Sequence, residues 1–291
     1  MPVIAVDRIV ARMSWLEPLG ESAHHLVEKL LSSGGPRADA AKQLLNGVWL
    51  EHPLHPALTD IPIGAWSAAA ILDLAGGAAG GDLGRGADLV LGIGCAGGVA
   101  AALSGVSDWQ DRSGHERDLA TAHGLLNSGA LLLMSTSLAL RLRGSRRPAV
   151  GLSLLGLGFA TAGAYLGGDL VYRLGVQVSR NAFMAGPSKW REVAAENEVL
   201  EGSFIRKQVG SNRVLLTRRD GEICAASAVC SHAGGPLDEL ELEDGQLRCP
   251  WHGSRFTLGT GRVSHGPATV PIPVFETRVT EGKVEIRRPD L

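Results

Sequence analysis

Four stretches of about 20 residues, 61–80, 87–106, 119–140 and 148–168, are built mainly from Ala, Gly, Leu and other apolar side chains with few charges. A helix rises about 1.5 Å per residue, so each stretch is long enough to cross a hydrocarbon layer of about 30 Å. Helical runs of this kind end up in lipid or in the core of a helical protein. Their small residues allow helices to approach closely, which suits a tight four-helix bundle in a membrane. Two buried helical hairpins of a soluble protein are the alternative. The connections 81–86, 107–118 and 141–147 are short and polar, so neighbouring helices run antiparallel. An even number of spans returns the chain to its starting side. The segment before the first helix, the second connection and everything after the fourth helix are therefore expected on one face.

The rest of the chain reads differently. Residues 1–48 form an amphipathic N-terminal segment, with one or two helices over 14–45 broken at Gly34-Gly35-Pro36. These helices suit packing on the bundle or on the membrane surface. The four-span domain occupies 49–176, a linker follows at 177–189, and residues 190–288 alternate apolar and charged residues like a soluble β domain. Strand-like segments at 213–217, 222–226, 246–249 and 283–286 are punctuated by turn signals at Asp220-Gly221, Asp244-Gly245 and Glu281-Gly282. The fold class is an all-α four-helix transmembrane bundle followed by an all-β domain. A net charge of −2 gives no field for nucleic acid, and none is expected as a partner. Arg141, Arg143, Arg146 and Arg147 crowd one connection, but Lys42, Arg112, Arg117, Arg173 and Arg180 on the other side bring the count close to even, so the side facing the cytoplasm is not fixed.

Four residues of the membrane half stand out. His52 and His55, in Glu51-His-Pro-Leu-His-Pro56, precede the first span, and His123 lies about one turn into the third. Histidine ligates haem iron or hydrogen-bonds a quinol, and it also caps helices. Asp73 lies roughly 18 Å into the first span, where an ionised group needs a partner or a function. A haem or quinone site built from His52, His55, Asp73 and His123 is one reading. Helix capping by His52 and His55, and protonation of Asp73 or its hydrogen bonding to Asn127 or to serines, is the other.

The C-terminal half carries the more specific signal. Cys230-Ser231-His232 and Cys249-Pro250-Trp251-His252 form two arms, C-x-H and C-x-x-H, each running into a glycine-bearing turn. Two thiols and two imidazoles suit zinc or an iron–sulfur cluster. The strings CSHAGGPL and CPWHGSRF resemble the two cluster-binding loops of the Rieske family, and the likeness runs from about Trp190 to Arg288. The resemblance implies a Rieske-type 2Fe-2S cluster, with Cys230 and Cys249 on one iron and His232 and His252 on the other. It implies a potential within about −150 to +300 mV.

The sequence departs from the high-potential branch of that family. No additional cysteine stands in either loop, so no disulfide is expected there. Ser254 matches a serine that hydrogen-bonds a cluster sulfur, whereas Phe256 stands where a tyrosine hydroxyl would. Fewer donors imply a potential toward the low end, as in ferredoxin-type members. Pro267 resembles part of the loop that covers the cluster. The string EHPLHPALTDIPIGAW, with Asp73 and the four-span pattern, is similar to a bacterial family of membrane domains of undefined activity that are sometimes fused to Rieske domains.

These features imply a multi-pass protein of a bacterial cell membrane. It would carry single electrons between a membrane donor, quinol or haem, and a protein acceptor. An oxygenase within the same chain lacks the residues for a soluble catalytic domain, and no self-contained catalytic site is recognised. Supplying electrons to a separate oxygenase, or sensing redox state at the membrane, are the alternatives.

Overall fold

The computed structural model describes residues 5–239 and 245–289, which divide into two compact units: 5–45 with 54–175, and 46–53 with 176–289. The first unit is helical, with α1 (Ala5–Arg12), α2 (Leu16–Ser33), α3 (Gly35–Asn46, whose last residue belongs to the second unit), α4 (Leu54–Leu74), α5 (Gly81–Trp109), α6 (Gly114–Leu142) and α7 (Arg146–Gly168). The last four are long and apolar enough to cross a membrane. The expected break at Gly34 separates α2 from α3.

The first span begins earlier than expected, at Leu54 in place of 61, and ends at Leu74 in place of 80. Pro56 falls in its first turn, where a missing N–H costs nothing, and Pro62 is accommodated inside it. At the other end Gly76, Gly80 and Gly81 have φ of +124°, +96° and +73°, conformations that glycine adopts readily and that end the helix. Between α6 and α7, Gly144 at φ +83° closes a three-residue turn in which Ser145 N–H donates to Leu140 O at 2.9 Å. The N-terminal segment packs on the bundle. His24 Nε2 lies 2.9 Å from Gln110 O, Lys42 pairs with Asp111 at 2.9 Å, and α2 comes so close to α6 that a Cβ on Gly20 would stand 3.2 Å from Thr121 Oγ1.

Each spanning helix packs on two neighbours in the cyclic order α4, α5, α6, α7, so α4 and α6 face each other diagonally. The burial pattern shows that the bundle is two copies of one helical hairpin. Buried residues of α4 recur in α6 at a constant spacing of 68: 62 and 130, 66 and 134, 69 and 137, 73 and 141. Buried residues of α5 recur in α7 at a constant spacing of 62: 87 and 149, 91 and 153, 94 and 156, 98 and 160, 101 and 163. Glycines at the crossings obey the same rule. A Cβ on Gly94 would collide with Trp66, and one on Gly156 would press on Met134. The two hairpins are therefore related by a pseudo-two-fold axis along the bundle, the parallel type of internal repeat.

The second unit is an antiparallel β domain. Its strands are β1 (Arg191–Ala195), β2 (Phe204–Val209), β3 (Asn212–Arg219), β4 (Glu222–Ser227), β5 (Gln246–Arg248), β6 (Arg255–Thr257), β7 (Val263–His265), β8 (Val274–Thr280) and β9 (Lys283–Arg287). Six form one sheet, ordered β1-β9-β8-β4-β3-β2, and three form another, β5-β6-β7. Successive residues of a strand point to opposite faces. Val214 and Leu216 of β3 accordingly enter a core with Ala225, Val284 and Ile286, while Leu215 enters a second core with Leu247, Phe256, Cys230 and Cys249. Tight hairpins turn at Asp220-Gly221 and Glu281-Gly282, all four residues at positive φ. At the third expected turn Gly245 has φ +78°, and Asp244 lies outside the described residues.

The segment expected as a linker is tied to this unit. Arg180 N–H donates to Ser231 O at 3.0 Å, Asn181 Nδ2 to Val229 O at 2.9 Å, and Arg288 N–H to Pro187 O at 2.8 Å. Residues 46–53 also belong to it, with Glu51 paired to Arg262 at 2.7 Å.

Candidate metal centre

The two motif loops follow β4 and link β5 to β6, and the same pair of main-chain hydrogen bonds closes both. Cys230 N–H donates to Gly235 O at 2.8 Å and Gly234 N–H donates back to Cys230 O at 3.0 Å. Cys249 N–H donates to Ser254 O at 2.8 Å and Gly253 N–H donates back to Cys249 O at 3.1 Å. Four residues after each cysteine stands a glycine at positive φ, +86° at Gly234 and +78° at Gly253. The loops are copies of one turn that differ in where the histidine falls.

The copies face each other closely. The thiols of Cys230 and Cys249 share a hydrogen bond, and the rings of His232 and His252 lie 5.0 Å apart at 86°. A Cβ on Gly235 would stand 2.7 Å from Cys249 Sγ and 3.1 Å from Trp251, so only a bare backbone fits there. The shared hydrogen bond, with burial, holds Cys230 as a thiol far above the usual range, and the same bond pulls Cys249 down to about 6. Cys230, Cys249 and His232 are buried, His252 is half-buried, and Trp251 is exposed beside it.

Around them, fully buried Ser254 accepts the Ala268 N–H at 2.9 Å, which leaves its own hydrogen to donate. Ser231 donates to Val270 O at 2.6 Å. These two bonds hold the segment that contains Pro267. Phe256, fully buried, fills its place without a hydroxyl, and all four cysteines are free. Two sulfurs that together release a proton readily, two imidazoles and a side-chain-free approach fit a 2Fe-2S cluster with mixed ligands.

The membrane residues separate into three places. His55 and His123 come together, with ring centroids 6.1 Å apart. His52 is exposed and belongs to the other unit. Asp73 lies 18 residues beyond His55 on the same helix, about 27 Å away along it. There it is fully buried against Arg141, whose guanidinium meets its two oxygens at 2.9 and 2.5 Å. Arg141 also reaches Asp88 at 3.2 Å and Ser153 at 2.9 Å, and Arg146 reaches Asp88 at 2.8 Å. Each of the four spans thus gives one charge to a layer of zero net charge. The partners of Asp73 are arginines, in place of the Asn127 or serine side chains expected from the sequence. Asp88 escaped notice there, although it is the one charge in the stretch 87–106. The layer also neutralises two of the four arginines that weighed on membrane orientation.

A β domain that gathers two cysteines and two histidines on twin loops, one after β4 of the large sheet and one between β5 and β6 of the small sheet, is of the class that carries a mixed-ligand iron–sulfur cluster. Residues 189–276 match the model of the Rieske [2Fe-2S] domain, and residues 51–180 match that of a predicted membrane protein family (DUF2231). Ferredoxin CarAc of Metapseudomonas resinovorans is 33% identical over 98 residues, 33% of this chain and 92% of that protein. Apoptosis-inducing factor 3 of Mus musculus is 36% identical over 89 residues, 30% of this chain but only 15% of its own length. Among solved structures, the complex of reduced oxygenase and oxidized ferredoxin in carbazole 1,9a-dioxygenase holds a similar chain, 32% identical, with a TM-score of 0.33 over 35% of this chain and 96% of that one. The chain belongs to the Rieske [2Fe-2S] family, its electron-transfer domain joined to a DUF2231 membrane domain.

Proposed function

We propose that this chain is a membrane-tethered carrier that passes single electrons between a donor in a bacterial cell membrane, quinol or haem, and a protein acceptor. The bundle of 49–176 anchors it and 190–288 carries the electron. Cys230 and Cys249 would hold one iron and His232 and His252 the other. A Rieske cluster accepts and returns one electron at a potential that neutral imidazole ligands raise above that of all-thiolate ferredoxins. The chain's part is to present two sulfurs and two imidazoles on twin loops, bury the sulfurs, and leave His252 and Trp251 toward solvent, where a partner can approach. The single observation that carries the reading is the pairing of those loops.

Cys249→Ser should abolish the electron paramagnetic resonance signal of the dithionite-reduced protein while the detergent-solubilised chain stays monodisperse. A signal that survives would remove Cys249 from the ligand set. Phe256→Tyr should raise the midpoint potential, because an added hydroxyl stabilises the more negative reduced state. An unchanged potential would show that this position does not tune the cluster.

A second reading, supply of electrons to a separate oxygenase, is favoured by the likeness to the ferredoxin component of the naphthalene 1,2-dioxygenase system of Pseudomonas putida, 30% identical over 98 residues. Stopped-flow oxidation of the reduced protein by an oxygenase component, compared with its reduction by a soluble quinol, separates the two.

A further inference from the structure

The pseudo-two-fold of the bundle singles out one pair of residues that the ion layer does not use. His55 and His123 occupy equivalent positions at the spacing of 68, on the two helices that face each other diagonally. Their surroundings are equivalent as well. His55 Nδ1 bonds Ala101 O at 2.8 Å, and His123 Nδ1 bonds Gly163 O at 2.8 Å, acceptors related by the spacing of 62. Each ring rests against a glycine related the same way. A Cβ on Gly105 would stand 2.9 Å from His55, and one on Gly167 would stand 3.0 Å from His123.

A main-chain carbonyl on Nδ1 fixes the tautomer with its proton there and leaves the lone pair on Nε2. That is the usual support of a metal-ligating histidine. Asn127 lies 3.3 and 3.4 Å from the ring nitrogens of His123, but its amide makes its shortest bond, 2.9 Å, to the His123 carbonyl. A metal–imidazole bond is about 2.0 Å and the nitrogen lies about 1.1 Å from the ring centroid, so two imidazoles in line on one ion have centroids about 6.2 Å apart. The observed separation is 6.1 Å.

Two imidazoles alone do not complete the coordination of a bare ion. Among the described residues of the helical unit, His24, His25 and Glu28 bring three potential ligands together, and neither His55 nor His123 is among them. A haem brings four of its own ligands and needs only two axial ones from the protein. We propose that His55 and His123 are the axial ligands of a haem in the core of the bundle, where helical bundles place cofactors. The proposal rests on the electron-carrier reading only in naming the membrane donor as haem and not quinol. The site would give the chain a redox centre in addition to the cluster.

The test is a reduced-minus-oxidised optical spectrum of the full chain in mild detergent, expressed with 5-aminolevulinate, with haem and iron–sulfur content measured on the same sample. Sharp haem bands and a low-spin ferric resonance are expected. His55→Ala and His123→Ala should each lose them, His25→Ala should keep them, and His55→Met should keep a low-spin haem with shifted bands. Because an alanine variant can misfold, the cluster signal and the elution profile of each are recorded alongside. Protein with a full cluster and no haem, even after titration with haemin, would overturn this proposal and leave the electron-carrier reading standing. Haem without a cluster would do the reverse. Haem that persists in both alanine variants would overturn the assignment of the ligands.

Discussion

The two ends of the bundle solve the same problem in opposite ways. At one end His55 meets His123; about 27 Å along α4, Asp73 meets Arg141. Both are pairs of equivalent positions in a duplicated hairpin, yet the first pair is identical and the second is opposite in charge. A neutral imidazole can face its own copy without electrostatic cost. Two carboxylates or two guanidinium groups in an apolar core would repel, and neither would have a counter-charge. Duplication therefore tolerates identity at the histidine layer and requires divergence at the charged one. The neighbours diverge with it. Ser153 and Ser137, both bonded to Arg141, occupy the positions equivalent to Leu91 and Ala69 of the first hairpin.

The sharpest way to break the comparison is to remove one charge. Asp73→Ala leaves Arg141 and Arg146 with Asp88 alone inside the bundle, and losing one partner of a buried pair costs about 3–5 kcal/mol. Thermal unfolding in detergent should show this as the largest loss of any single change considered for the membrane unit. Exchanging the charges, Asp73→Arg with Arg141→Asp, should recover part of the loss, because the pseudo-symmetry places the two positions alike. If the exchange is no better than the single change, contacts peculiar to each hairpin outweigh the symmetry.

The layers were unequally legible in the sequence. The cluster motif could be read because its four residues fall within a short span of chain and their spacing is specific. The four helices could be read because length and composition suffice. Asp73 was visible as an anomaly but its partner was not, because Arg141 lies 68 residues away among arginines that look like an ordinary polar connection. The start of α4 was hidden by Pro56 and Pro62, which usually mark the outside of a helix. His55 and His123 were both noticed, but only the fold separates them from His52. The repeat itself escaped because burial carries it further than residue identity does: His55 matches His123 and Gly94 matches Gly156, but Trp66 matches Met134 and Asp73 matches Arg141.

A subtler change sharpens the comparison at the histidine end. Gly105→Ala and Gly167→Ala each push a methyl group to about 3 Å from an equivalent ring, an overpacking that costs about 1–3 kcal/mol. If the two hairpins are equivalent there, the two variants should lose similar stability. A clear inequality would show that the histidine layer has also diverged, through surroundings that the paired hydrogen bonds do not reveal.

The smallest effect expected is at the edge of the charged layer. Ser137 donates to Ala149 O at 2.6 Å and accepts from Arg141 Nε at 3.2 Å. Ser137→Ala restores the residue that the first hairpin has at this position, so it tests divergence directly. It removes one acceptor from a guanidinium still held by Asp73, Asp88 and Ser153, and one donor from a carbonyl at the start of α7. A loss of about 1–3 kcal/mol is expected, below that of Asp73→Ala, since the ion pairs remain while a buried charged donor goes short of a partner. No loss at all would mean that the two aspartates alone hold Arg141 and that the serine is incidental to the layer. A loss as large as that of Asp73→Ala would make the hydroxyl, and not the charge, the feature on which the second hairpin depends.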